Sequence, residues 1–214
     1  MPKQTFFNLS EEKRNAIIET SIEEFSANSY KNASITKIAE RSNIAKGSVY
    51  QYFHNKKDLY KYIIDLAGAK KAEYLMDFAA NIPNLSFFEL IRELYIRGLK
   101  FARENPKYSA LANNFLKEND IKFKEEILGV NLEKSNQFFE DLIENGKRKG
   151  DISSRVDTKV GAYIITHLNT AIVDYLLSYM QYNDILKDEG ELIDKVDKML
   201  IILEHGFKRR EGGE

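Results

Sequence analysis

Along this chain apolar residues recur at intervals of three and four, with few alternating β-branched runs and three prolines, which predicts an all-α protein of about nine helices. Ser10, followed by Glu11 and Glu12, is an N-cap with acids in its first turn, and Ile17, Ile18, Ile22 and Phe25 mark the buried stripe of a first helix ending near Asn28. Ser34 caps a short second helix with Ile35, Ile38 and Ala39 inward, ending near Ser42, and Asn43 and Ile44 make a turn. A third helix covers residues 46–53. A fourth begins after Asn55, with Asp58 as the acidic partner of a capping box, and continues to about Ala80. The NIPN segment at 81–84 breaks it, Ser86 caps a fifth helix that stops before Pro106, and Pro106 suits the first position of a sixth. Residues 134–149 form a further helix closed by Gly150, with Lys147, Arg148 and Lys149 facing its negative end. Asp157 caps the next, which runs to Met180, and the last covers about 189–207.

The second and third helices are too short to stand alone, because isolated helices under about 12 residues are marginal in water. Ile38, Ala39, Ile44, Val49 and Phe53 give them a shared core, with Ile18, Ile22 and Phe25 of the first helix as its third wall. With Val49 and Phe53 inward, helical geometry puts Gly47 and Gln51 on the opposite side, Lys46 and Tyr50 on one flank and Ser48 on the other. That surface has the chemistry to read DNA. Lys and Gln can bond base edges, Ser and Tyr hydroxyls can reach bases or phosphates, and Gly47 lets the backbone approach a duplex with its amides turned to a phosphate. Lys37, Lys56 and Lys57 flank it as phosphate-directed charges, while Tyr52 sits nearer the core with its hydroxyl toward a phosphate. The net charge of the chain is only −1, but residues 30–61 hold seven basic side chains against two acids, so the remainder is net acidic.

This arrangement resembles the N-terminal helix-turn-helix of the TetR family of bacterial transcriptional repressors. The matching residues are Thr36, Ile38, Ala39, Ile44, Lys46, Gly47, Ser48, Val49, Tyr50, Tyr52, Phe53, Lys56 and Leu59, within a match over residues 17–62. The resemblance implies phosphate contacts from Thr36 and Lys56. Two positions depart from it: Ala45 stands where a capping Ser or Thr is common, at a cost of about 1 kcal/mol, and Asn43 replaces a turn glycine, which Asn tolerates because it accepts the left-handed conformation.

The family resemblance implies a DNA-binding domain at residues 8–62 and a larger helical effector-binding and dimerisation domain at 63–214. One recognition helix reads few base pairs, so such modules bind palindromic half-sites as homodimers. Met199, Leu200, Ile201, Ile202 and Leu203 cover every side of the last helix with apolar surface, Leu192 and Val196 continue the stripe, and the preceding helix adds Val160, Tyr163, Ile164, Leu168, Ile172, Tyr175 and Tyr179. In the family these two helices of each subunit form a four-helix dimer bundle, and the middle helices enclose a small-molecule effector that changes the spacing of the reading heads. Candidate effector contacts are Tyr95, Tyr108, Phe115, Phe138, Tyr163 and His167, which suit an apolar or aromatic ligand; the same aromatic spacing also suits a plain core. Thr166, Asn169 and Asp174 are polar groups in apolar stretches that must find partners. The fourth helix is the expected lever between head and body.

Other functions find less support. The chain has no cysteine, which excludes disulfides and thiolate metal sites and fits a reducing cytoplasm. The N-terminal residues lack the apolar core of a signal peptide, and the greasy run at 160–180 carries His167, Asn169 and Asp174, as a buried helix does. Three histidines, His54, His167 and His205, none of them three residues after a Glu, give no bundle iron motif, and there is no phosphate-cradling glycine loop. No catalytic residue, metal site or cofactor is expected. The alternatives to a repressor are a helical architectural DNA-binding protein and a small-molecule carrier.

Overall fold

The computed structural model describes residues 1–79, 85–179 and 189–206. These form eleven helices and no strand: α1 (Gln4–Phe7), α2 (Glu11–Ala27), α3 (Ile35–Arg41), α4 (Lys46–Tyr52), α5 (Lys56–Ala79), α6 (Phe87–Glu104), α7 (Pro106–Leu116), α8 (Ile121–Leu128), α9 (Val130–Lys149), α10 (Thr158–Tyr179) and α11 (Glu189–His205). The NIPN break at 81–84 lies outside the described residues, as do the side chains of Asn169, Ile172, Asp174, Tyr175, Tyr179 and Leu192. No helix among the described residues is long and apolar enough to cross a membrane.

The helices start where side chains satisfy their orphan amides. Ser10 Oγ accepts from Lys13 N at 3.4 Å, Ser34 Oγ from Lys37 N at 3.3 Å, Asn55 Oδ1 from Asp58 N at 2.9 Å and Asp157 Oδ1 from Val160 N at 2.9 Å. Ser86 and Glu89 form a reciprocal capping box, Glu89 Oε2 accepting from Ser86 N at 2.8 Å and Ser86 Oγ from Glu89 N at 3.4 Å. At α5 the Asp58 carboxylate accepts from His54 N at 3.4 Å, one residue before the cap. Gly150, at φ 85°, closes α9 as its sequence position predicts. Two helices go beyond the expected nine. The Asp120 carboxylate caps α8 by accepting from Phe123 N at 3.0 Å, whereas the four-residue α1 has no side-chain cap and forms around the buried Phe6. Helix α9 also starts at Val130, a turn earlier than expected.

The described chain divides into two compact units, Met1–Met76 with Phe101–Leu132, and Asp77–Lys100 with Glu133–Glu214. The first has an aromatic core: Phe6, Phe25, Phe53 and Tyr60 are each at most 1% exposed, packed with Ile17, Ile38, Leu59, Ile63 and Leu111. Each such side chain contributes about 1.5–3 kcal/mol on burial. Burial also pushes the Tyr60 hydroxyl far above the usual tyrosine range. Polar contacts join its helices at their ends. Asn114 Nδ2 donates to the carbonyls of Phe25, Ser26 and Asn28 at 3.0, 2.9 and 3.3 Å, closing α2 from α7. Lys57, Lys61 and Asp65, four residues apart along α5, engage the end of α8 and the start of α9: Lys57 Nζ donates to Glu126 Oε2 at 2.6 Å, Lys61 Nζ to Ile127 O at 2.5 Å, and Asp65 Oδ1 accepts from Asn131 Nδ2 at 2.6 Å.

The second unit has a smaller, mainly aliphatic core of Phe87, Ile91, Ile143, Ala162, Ile165, Val196 and Leu200. The Arg92 guanidinium straddles Asp197, with Nε and Nη2 at 2.6 and 3.0 Å from its two oxygens, which pins α6 to α11.

Candidate nucleic-acid interface

Helices α2, α3 and α4 meet as the apolar spacing requires. Ile38 and Ala39 of α3, Val49 of α4 and Phe53 are all buried against Ile17, Ile22 and Phe25 of α2. The turn between α3 and α4 is closed by backbone bonds from Asn43 N to Glu40 O at 3.1 Å and from Ile44 N to Ala39 O at 3.0 Å. Asn43 takes φ 54°, the left-handed conformation that a glycine would otherwise supply there. Ala45 occupies the N-cap of α4 and gives it no side-chain bond.

With Val49 inward, Lys46, Gly47, Tyr50 and Gln51 are exposed, and Ser48 and Tyr52 are half-buried. Tyr50 keeps 43% of its surface open, a large aromatic left in water beside a lysine. A Cβ added to Gly47 would meet no atom within 4 Å of the protein, so nothing in the fold itself requires glycine there and a close external surface remains a use for it. The Tyr52 ring packs 6.2 Å from Phe6, on the core side as expected. Thr36 is half-buried and Lys37 exposed on α3.

Two of the flanking cations are committed within the protein. Lys57 is paired with Glu126, whose hydrogen bond raises the lysine's pKa above its ordinary value. Lys56, for which the family resemblance implies a phosphate contact, donates from Nζ to Lys31 O at 3.1 Å and lies 4.9 Å from the centre of the Tyr30 ring. Burial lowers its pKa, partly offset by the Glu24 carboxylate. Arg41 is likewise occupied by Glu23. Lys37 on α3 and Lys46 on α4, both exposed, make no ion pair among the described residues, so their charge is available to a polyanion.

Several positioning residues were not apparent from periodicity. Glu24, 4% exposed, accepts from Ser34 N at 2.9 Å and Asn28 Nδ2 at 3.2 Å, holding the end of α2 against the start of α3. It shares the inward face of α2 with Ile17 and Ser21, and a charge on an inward face must have partners, which is the signal that could have found it. Ser42 Oγ donates to Ile38 O at 2.7 Å and lies 2.5 Å from Thr20 Oγ1, fixing the turn to α2.

The effector candidates are divided between the units. Phe115 is buried in the first core, and Tyr108 beside it carries Lys70 Nζ 4.6 Å from its ring centre. In the second unit Tyr95 is half-buried, its hydroxyl buried without a hydrogen-bond partner and its pKa pushed up to about 12 by desolvation. The Thr166 hydroxyl is also buried and unpartnered. Phe138 is 39% exposed and Tyr163 is 62% exposed, with the exposed His167 ring stacked 3.9 Å from the latter. Tyr163 and His167 thus share with Val160 and Ile164 an exposed stripe on α10 at spacings of three and four.

Residues 17–63 match the model of the bacterial regulatory proteins of the tetR family. The chain is 31% identical to a TetR family transcriptional regulator from Chloroflexus aurantiacus of known crystal structure, with 98% of this chain and 100% of that one covered and a TM-score of 0.65. It is 25% identical over 193 residues to the "probable acrEF/envCD operon repressor" of Escherichia coli K12, covering 88% of this chain and 86% of the repressor. The regulator FadR of Bacillus subtilis, solved in complex with stearoyl-CoA, has the same fold at a TM-score of 0.71 and 18% identity, over 91% of this chain and 99% of that one.

Proposed function

This chain belongs to the TetR family of transcriptional regulators, and from that premise we propose that it binds a palindromic operator as a homodimer and leaves it when a small molecule binds among its middle helices. The observation that carries the DNA reading is the exposed face of α4, where Lys46, Gly47, Tyr50 and Gln51 stand open on a helix anchored by Val49. Gln51 and Lys46 are assigned to base edges, each bidentate contact worth about 1–3 kcal/mol of discrimination. Ser48 and Tyr50 reach bases or phosphates, and Thr36, Lys37 and Tyr52 position the head on the backbone. Lys56 joins them if its ammonium swings from Lys31 to a phosphate.

Dimerisation through α10 and α11 is supported by the apolar surface the monomer leaves in water. Val160, Tyr163, Ile164, Ile201 and Ile202 are each more than 40% exposed. A two-fold pairing of that surface presents two copies of α4 to half-sites about 34 Å apart or a multiple of that. The protein acts as a cytoplasmic repressor, with residues 8–62 as its reading domain and 63–214 as its effector and dimer domain.

The effector is apolar or aromatic, and Tyr95 and Thr166 have unused hydroxyls to orient it. An acyl thioester is the first candidate to test because the FadR of this fold holds stearoyl-CoA. Helix α5 is the lever, and a hundredfold loss of operator affinity needs about 2.7 kcal/mol of coupling between sites. Selecting duplexes from a random-sequence library with the purified protein should yield a palindrome, and titrating that duplex with and without acyl-CoA thioesters or aromatic compounds should reveal release. Binding that follows salt concentration alone and prefers no sequence would refute the reading.

A further inference from the structure

Helix α4 has only seven residues, no side-chain N-cap and no glycine to turn its C-terminus, since Phe53 continues in extended conformation at φ −129°, ψ 148°. A helix this short needs its ends satisfied from outside. Of its last four carbonyls, Val49 O accepts from Phe53 N at 2.8 Å, and the other three are taken by the segment before α2. Lys3 Nζ donates to Tyr50 O at 2.9 Å, Thr5 Oγ1 to Gln51 O at 2.6 Å and Lys3 N to Tyr52 O at 2.8 Å. The lysine also sets a positive charge at the negative end of the helix dipole.

The segment is itself fastened on two sides. Phe6, 0% exposed, inserts its ring between α4 and α5, 5.0 Å from Phe53, 6.2 Å from Tyr52 and 5.5 Å from Tyr62. Arg14 of α2 donates from Nη1 to Phe7 O at 2.9 Å and Leu9 O at 2.5 Å, closing the other end. The carbonyls it holds belong to Tyr50, Gln51 and Tyr52, whose side chains are assigned above to DNA.

Resting on that assignment, we infer that residues 3–6 are a positioning element for DNA reading: they cap the recognition helix from outside it and fix where Tyr50, Gln51 and Tyr52 stand against the duplex. Lys3 and Thr5 act through α4 and need not touch DNA themselves. This explains why a four-residue helix without a cap of its own persists at α1.

The test uses Lys3→Met with Thr5→Val in the full chain, which removes both side-chain donors and keeps their bulk, against the conservative pair Lys3→Arg with Thr5→Ser. Hydrogen exchange should quicken about tenfold at the amides of α4 in the first pair, with α2 and the second unit unchanged, and return to wild-type rates in the conservative pair. Affinity for the duplex selected by the wild-type protein should fall about tenfold in the first pair, while affinity for an unrelated duplex stays within about twofold. Thr5→Val alone, should the pair fail to fold, is expected to give about threefold in each. Wild-type exchange at α4 overturns the inference, and so does an equal loss on both duplexes, which would make Lys3 a simple phosphate charge. A wild-type protein that selects no duplex would refute the operator reading, and the exchange arm would still decide whether α4 is held by this segment.

Discussion

The two units of the chain differ in how much of their surface chemistry is settled within the subunit. In the first, aromatic residues fill one core, and helix ends are closed by side chains reaching from other helices: Asn114 on α2, Lys61 on α8, Lys3 and Thr5 on α4. Its exposed large apolar groups, Met1, Phe7, Tyr50 and Ile121, do not recur at helical spacing along one element. The second unit leaves Val160, Tyr163 and Ile164 as a stripe on α10 and Ile201 and Ile202 together on α11, and it buries the Tyr95 and Thr166 hydroxyls without partners. Natural subunits seldom leave contiguous apolar stripes in water or orphan polar groups in a core unless something else completes them. The first unit therefore settles most of its surface and core chemistry within the subunit, whereas the exposed stripe and unpartnered hydroxyls of the second are what the proposed dimer and effector would complete.

Substitutions can separate the two behaviours. Phe53→Ala, in the finished core, should cost about 3–5 kcal/mol in urea unfolding without altering the oligomeric state. Ile201→Lys with Ile202→Lys should do the reverse: sedimentation should show monomers, and affinity for the selected duplex should fall about a hundredfold or more, by roughly 2.7 kcal/mol, with the helical content retained. A double variant that stays dimeric would remove the explanation for the exposed stripe. Gln51→Ala should lower affinity for the selected duplex by about 1–3 kcal/mol and relax the sequence preference at one position, leaving the thermal midpoint where it was. Ala45→Ser should stabilise the head by about 1 kcal/mol, because α4 has an empty N-cap.

The smallest effect concerns acid. Glu23 bridges Lys107 of α7 and Arg41 of α3, and the Lys107 hydrogen bond, followed by the neighbouring charges, holds its carboxyl below the ordinary value of 4.5 against a desolvation cost. A depressed folded-state pKa gives stability that is present above 4.5 and lost as pH falls through the lowered value. Glu23→Gln should therefore cost well under about 1 kcal/mol at neutral pH, as exposed pairs do, and the gap from wild type should close during acid titration.

Many helix ends in both units could be read from the chain because their signals are local. Ser10, Ser34, Asn55, Ser86, Pro106, Gly150 and Asp157 each announce a helix end through their own side-chain or backbone chemistry, and Val49 and Phe53 fix by geometry which side of α4 faces out. Helix α1 was not readable in this way, since QTFF acquires its conformation from Phe6 packing against residues about fifty positions later. Helix α8 did have a local signal in Asp120, obscured by the exposed and charged residues around it. The direction of a long side chain is set by tertiary neighbours, so Lys56 turning to Tyr30 and Lys31, and Lys57 to Glu126, lay beyond any periodicity. The aromatic residues beyond position 62 gave the least, because core, ligand contact and subunit interface all favour the same residue types; Phe115 went to the first unit's core and Tyr163 to a surface of the second.

The claim on which the account rests is that two exposed α4 faces read one duplex in symmetric register. A hydroxyl-radical footprint of the wild-type protein on its selected duplex tests it most directly. Two protected half-sites related by a dyad on one side of the helix are expected, their centres about 34 Å apart or a multiple of that. Protection that is continuous, or confined to a single half-site at saturation, would contradict it.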